Sequence, residues 1–138
     1  MKKDIKSYLK MTVFVLLLIL IVAFFAGLLP IAPVVVATGS MEPAISVGDI
    51  VLVCETDPEQ LETGDIIQYQ KDSYSVIHRI VECHEKEEEV TGFITKGDYN
   101  NAPDNDEVLP EQVEGRVILI IPDIGKFILS IHGFSSNS

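Results

Sequence analysis

Hydrophobic and polar positions along the chain divide it once, sharply. Residues 11–29, MTVFVLLLILIVAFFAGLL, carry no charge and hardly a polar atom. A helix advancing ~1.5 Å per residue needs ~20 mostly apolar residues to cross the hydrocarbon core of a bilayer. The run therefore predicts one transmembrane helix over residues 12–30, between a basic tail at 1–11 and a domain at 31–138. Beyond it the pattern shortens. GDIVLVCE (48–55), GDIIQYQ (64–70), SYSVIHRIV (73–81), VTGFITK (90–96) and VEGRVILII (113–121) are short runs rich in Val, Ile and Tyr, bounded by Gly, Asp, Asn or Pro. Such runs read as strands. The predicted fold class is mostly β, a small antiparallel domain after one N-terminal membrane helix.

A cleaved signal peptide also begins with basic residues and an apolar core, and Val35, Val36 and Ala37 offer small residues for cleavage. The core here exceeds the ~7–15 residues usual for such a segment. A retained anchor is the expectation. The similar pieces VGDIV and TGDII are too close and too few for a repeat architecture and read as turns, where glycine supplies the required torsions. The acidic run ECHEKEEE (82–89) reads as a solvated hairpin tip or loop, and His84 within it as no metal ligand. The closing stretch PDIGKFILSIHGFSSNS is too short and too polar for a second span.

Charge sharpens this organisation. The first eleven residues hold four lysines and one aspartate, a charge of +3, whereas the remaining 127 hold six basic residues and twenty acids, −14, within a total of −11. By the positive-inside rule the N-terminus lies in the cytoplasm, which puts a single-pass protein in the cell membrane with its domain on the outer face. So acidic a domain repels phosphate and excludes nucleic acid as a partner. The lipid bilayer is the expected neighbour, met by apolar rather than basic surface.

Two cysteines, Cys54 and Cys83, fall in strand-like runs. An exported domain permits a disulfide, but the simpler reading is two small core residues. No Cys or His spacing suggests zinc, and no metal or other cofactor is expected.

Candidate chemistry begins at ATGSMEPAI (37–45), where Gly39 and Pro43 bracket Ser40 in a bend that exposes a hydroxyl, with Met41 free to lie on an apolar surface such as lipid. Gly-Ser-x-x-Pro also occurs in plain turns. A serine becomes a nucleophile only beside a base, which in turn needs an orienting group. Of three histidines, His84 lies in the acidic run and His132 in the tail, while His78 sits mid-strand in YSVIHRIV. Alternation places His78 on the face of Val76 and Ile80, towards apolar surroundings, where a histidine is often simply structural.

Three blocks, TGSMEPAISVGDIVLV, GDIIQYQ with YSVIHRIV, and TKGDYNNAPD, follow the apolar span in order. Together they resemble the type I signal peptidases, peptidase family S26, and among these the endoplasmic-reticulum-type, Ser-His branch. The resemblance covers roughly residues 38–104. It implies a signal-peptidase-type β catalytic domain, a serine hydrolase that removes signal peptides from exported preproteins. Ser40 matches the nucleophile. His78 stands where the purely bacterial branch has a lysine base. Asp104 matches the acid closing the glycine loop and is preferred for orienting His78; Asp98 is the rival, read first as fixing the loop, and Asp106 is a third choice. Thr38 replaces the first serine of the family's Ser-Gly-Ser block and keeps the hydroxyl that helps the Ser40 N–H hold the oxyanion.

A histidine base, with an ordinary pKa of ~6.5, is largely neutral near pH 7 without the burial a lysine base requires. It does need an acceptor on its other nitrogen to fix its tautomer, hence the expected aspartate. The resemblance further implies that the precursor lies extended along a strand, with small side chains one and three residues before the cut. Accessory membrane subunits are a possible further partner, and the resemblance leaves their identity and their need open. Many relatives continue into a second span after the block resembling VILIIPDIGKF; this chain reads as a short form or a truncation. Two other readings compete. One is a catalytically inactive, membrane-anchored β-domain that binds a partner. The other is a self-cleaving repressor peptidase, which the membrane span and His78 oppose.

Overall fold

The computed structural model describes residues 2–87 and 89–122, and the chain divides into two compact units, residues 1–32 and 33–138. In the first, helix α1 runs Lys2–Phe25. Its segment Ile5–Phe24, with a mean hydropathy of 2.4, is long and apolar enough to cross a membrane. The helix begins ten residues before the predicted boundary at 12, because lysine is a good helix former and hydropathy marks the solvent rather than the backbone. It also ends earlier. Gly27, at φ +68°, closes it, with Leu28 N–H donating to Ala23 O at 3.0 Å and Gly27 N–H to Phe24 O at 3.1 Å. Those two bonds satisfy carbonyls at the helix end, and only glycine takes the left-handed turn without strain.

Apart from Ile31 and Ala32 at the start of β1, the second unit holds a six-stranded sheet in the order β1-β2-β6-β3-β4-β5. Its strands are β1 (Ile31–Val35), β2 (Ile50–Cys54), β3 (Ile66–Lys71), β4 (Tyr74–Lys86), β5 (Glu89–Lys96) and β6 (Val113–Ile121). The pairs β2–β6, β6–β3, β3–β4 and β4–β5 are antiparallel. All five predicted strands are present. β1 is an addition that the sequence pattern did not signal. It contains Pro33, which a sheet tolerates on an edge strand, and β1 stands at the end of the order. β4 carries on to Lys86, so the start of the acidic run is strand rather than loop, pairing as Glu82 with Ile94 and Cys83 with Phe93. Cys54 and Cys83 are free thiols, the latter 3.7 Å from Thr63 Oγ1. The tail considered for a second span, with His132, lies outside the described residues.

Two apolar clusters form the core. One gathers Leu61, Ile67, Tyr69, Ile80, Phe93 and Val108; the other gathers Val36, Met41, Ile45, Val51 and Val53. Neighbouring residues of β3 and β4 separate between them: Ile67 and Val76 join the first, Ile66 and Ile77 the second. That division is the period-two alternation of a strand expressed in packing. Met41 departs from expectation. It is 1% exposed, inside the second cluster, and not laid on an outer surface. Burying a side chain of that size contributes about 1.5–3 kcal/mol, so the residue next to Ser40 ties the bend to the core.

Candidate active site

Ser40 opens a turn through residues 40–44 in which Glu42 N–H donates to Gly39 O at 3.1 Å and Ile45 N–H to Met41 O at 3.0 Å. Burial of Met41 and Ile45 fixes the turn from beneath. His78 lies mid-β4, opposite Ile67 of β3, and is 8% exposed. Asp104 belongs to the loop after β5, where its N–H donates to Thr95 O at 2.8 Å. These three elements bring the side chains into line. His78 Nε2 is 3.1 Å from Ser40 Oγ, and His78 Nδ1 is 2.6 Å from Asp104 Oδ2. The carboxylate accepts, so Nδ1 carries the proton and Nε2 is left as an acceptor for the serine hydroxyl.

The rival acid is engaged elsewhere. Arg79 follows His78 and so points to the other face of β4, where its Nε and Nη2 donate to Asp98 Oδ1 at 2.9 Å and Oδ2 at 2.7 Å. Arg79 Nη1 also donates to Gly64 O at 2.8 Å. The Arg79 guanidinium holds the Asp98 carboxyl below the usual carboxylate range, and Asp98 in turn raises Arg79. Asp98 is thereby tied to Arg79 and, through it, to Gly64. Asp106, the third choice, pairs with Lys71 Nζ at 2.8 Å. His84 is held by Glu107 at 2.6 Å and by Glu82 at 3.4 Å.

Three further residues shape the site. Thr95, fully buried, donates from Oγ1 to Asp104 Oδ2 at 2.7 Å. Tyr69, 3% exposed, has its hydroxyl 3.4 Å from the same oxygen, and burial pushes its pKa up. Gly97 lets the loop approach. A Cβ there would stand 2.6 Å from Ser40 O and 3.0 Å from His78 Nε2, while Tyr99 N–H donates to that same Ser40 O at 3.0 Å. Gly97 is visible in the sequence as part of KGD. Thr95 and Tyr69 stand in quoted blocks, but only the strand register brings them to Asp104.

The Ser40–His78–Asp104 line opens on a cavity of about 450 Å³ whose walls include Val34, Val36, Val76, Ile77 and the exposed Thr38. β4 pairs with β5 only from Arg79 onward, so among the described residues 74–78 meet β3 on one side and the cavity on the other. Among the described residues no group of three or more His, Cys, Asp or Glu side chains is arranged to hold a metal ion.

Part of the chain that carries this arrangement matches known proteins. Residues 5–90 fit the family model described as "Signal peptidase, peptidase S26". That range includes Ser40 and His78, while Asp98 and Asp104 lie beyond it. The chain is similar to Signal peptidase I W of Bacillus subtilis (strain 168), 39% identical over 83 residues, which are 59% of this chain and 43% of that protein. It is similar to the signal peptidase complex catalytic subunit SEC11C of Homo sapiens, 34% identical over 73 residues, 51% of this chain and 38% of that one. With the catalytic subunit SEC11 of Candida albicans (strain WO-1) the identity is 43% over 74 residues, 52% and 43% of the two chains. The matches thus span less than half the length of each of these relatives. With more than half of its residues fitting the family model in a single stretch, the chain belongs to the signal peptidase family, peptidase S26.

Proposed function

We propose that this protein is a membrane-anchored serine endopeptidase that removes N-terminal signal peptides from exported preproteins, with Ser40 as nucleophile, His78 as base and Asp104 as the acid that orients it. The observation that carries the reading is the line from Asp104 Oδ2 through His78 to Ser40 Oγ, at 2.6 and 3.1 Å, facing an apolar cavity. Ser40 Oγ attacks the scissile carbonyl as His78 Nε2 takes its proton. The imidazolium, stabilised by Asp104, then returns that proton to the leaving amine. Water repeats the sequence to release the acyl half. The Ser40 N–H and the Thr38 hydroxyl are the proposed donors to the oxyanion.

The cavity favours an extended peptide. β1 and residues 74–78 of β4 flank it, and a strand laid between them pairs its backbone with both while small side chains enter the trough. Lys2, Lys3, Lys6 and Lys10, against Asp4 alone, support a cytoplasmic N-terminus and a catalytic domain on the outer face. The test is cleavage by the full chain in liposomes of a precursor whose signal ends in Ala-x-Ala. Wild type cuts after the final alanine and Ser40→Ala does not; a wild-type preparation that leaves every such precursor intact refutes the reading.

A further inference from the structure

We propose that Thr95 and Tyr69 are positioning residues: together they hold the Asp104 carboxylate by its Oδ2 atom and so keep the His78 ring turned with Nδ1 as donor and Nε2 towards Ser40. The inference rests on the reading of Ser40, His78 and Asp104 as the reacting set, and it assigns the step that keeps the set aligned to two residues of different strands.

Oδ2 of Asp104 is the meeting point of three donors. His78 Nδ1 lies at 2.6 Å, Thr95 Oγ1 at 2.7 Å and Tyr69 Oη at 3.4 Å. Thr95 Oγ1 and Tyr69 Oη are also 3.3 Å apart. Both residues are buried, at 0% and 3% exposure, so their polar ends have to find partners within the protein. Threonine has one hydroxyl proton, which belongs on the shorter contact, to Asp104. The tyrosine proton then completes the network on the same carboxylate oxygen or on the threonine oxygen that carries it there. Burial raises the Tyr69 pKa, and a phenol kept protonated is a donor at neutral pH.

A carboxylate on a loop is free to turn about its last torsion, which is broad and roughly two-fold. Asp104 is denied that freedom at both ends. Thr95 O accepts from its backbone N–H at 2.8 Å while Thr95 Oγ1 donates to its side chain. Thr95 itself lies on β5, paired with Ile80 of β4, two residues beyond His78. The acid and the base are therefore registered against each other through one rung of the sheet. Tyr69 adds a steric guide, its ring edge-on to the imidazole at 6.5 Å between centroids and 66° between planes. Nearby charges have other occupations: Asp98 pairs with Arg79 and Lys71 with Asp106. Holding the carboxylate in place thus falls to the two hydroxyls.

The experiment uses the full chain in detergent micelles and reads two quantities on Thr95→Val, Thr95→Ser and Tyr69→Phe. The first is nitrogen NMR of the His78 imidazole, assigned by its loss in His78→Ala, which reports the ring tautomer whether or not substrate is cut. The second is kcat and KM on the Ala-x-Ala precursor. The wild-type ring is expected to be held as Nδ1–H. Thr95→Val is nearly the same size but has no hydroxyl; it should give a mixture of tautomers and lower kcat on the order of tenfold or more, with KM unchanged. Thr95→Ser restores both quantities towards wild type, since it keeps the hydroxyl and lacks only a methyl. Tyr69→Phe gives a smaller change of the same kind and reads the signature independently should valine at 95 impair folding. The same tautomer signature in wild type, Thr95→Val and Tyr69→Phe overturns the proposal. A signature lost in those variants, in a chain that cuts no precursor, supports the positioning role and refutes the endopeptidase reading instead.

Discussion

Replacing Gly97 by alanine tests the geometry of the site with a single methyl group. The added Cβ would lie 2.6 Å from Ser40 O and 3.0 Å from His78 Nε2, where ordinary contact begins near 3.4 Å. The backbone oxygen is the harder obstacle, since it belongs to Ser40 itself and is held by Tyr99 N–H at 3.0 Å. Relief therefore requires the glycine loop and the serine turn to separate by about 0.8 Å, the difference between 3.4 and 2.6 Å. A hydrogen bond of 3.1 Å between Ser40 and His78 does not survive such a displacement as a good one. A misplacement of ~1 Å at a reacting centre costs on the order of a hundredfold in rate, equivalent to about 2.7 kcal/mol. Overpacking itself destabilises a fold by about 1–3 kcal/mol, so the assay must separate the two effects. Steady-state cleavage of the Ala-x-Ala precursor, well below the melting temperature of Gly97→Ala measured in the same detergent, does so. The expected outcome is a folded protein with kcat reduced about a hundredfold. Activity within about threefold of wild type would refute the close approach of loop and serine on which the site geometry depends.

Three other outcomes are expected from the same side-chain geometry. Asp104→Asn keeps an oxygen for Thr95 but removes the charge that, on the proposed mechanism, faces a protonated His78. For charges about 4 Å apart at an effective dielectric near 20 the loss is about 4 kcal/mol, or roughly a thousandfold in kcat, and a loss below tenfold would contradict the assignment. Asp98→Asn removes the partner of Arg79 and should lower stability at neutral pH by about 1–2 kcal/mol after solvent screening. Because Arg79 lowers the folded pKa of Asp98 from 3.8, that contribution is present above 3.8 and disappears as pH falls through the lower folded value. The melting difference from wild type should vanish in acid, and one independent of pH would sink the idea. Met41→Ala should cost about 2–5 kcal/mol in denaturant unfolding, as buried large-to-small changes do, whereas a methionine resting on an outer surface would cost little.

The strands were legible because each is a short β-branched run closed by turn residues, and the placement of His78 on the face of Val76 and Ile80 followed from alternation alone. β1 was not, since Pro33 reads as an interruption until the strand is seen to occupy an edge. Met41 reads as a surface residue for a related reason. A residue beside an exposed serine looks exposed, but the turn carries Ser40 to the cavity while Met41 and Ile45 enter the core. Asp98 and Asp104 lie in one acidic loop, and sequence left the choice between them open. The geometry turns on Arg79, which alternation sends to the face opposite His78 and which draws Asp98 with it. Thr95 and Tyr69 carry no signal in the sequence because their positions at Asp104 depend on pairing across strands: Tyr69 sits opposite Val76, and Thr95 opposite Ile80.

Whether Ser40 is a nucleophile made reactive by His78 can be read without any natural precursor. A peptidyl phosphonate carrying Ala at its reactive end, added to the full chain in detergent, should form one covalent adduct that mass spectrometry locates on Ser40. The adduct should be absent from Ser40→Ala, strongly slowed in His78→Ala, and suppressed by excess precursor. Labelling of His78→Ala at the wild-type rate, or an adduct on any residue other than Ser40, would contradict the account.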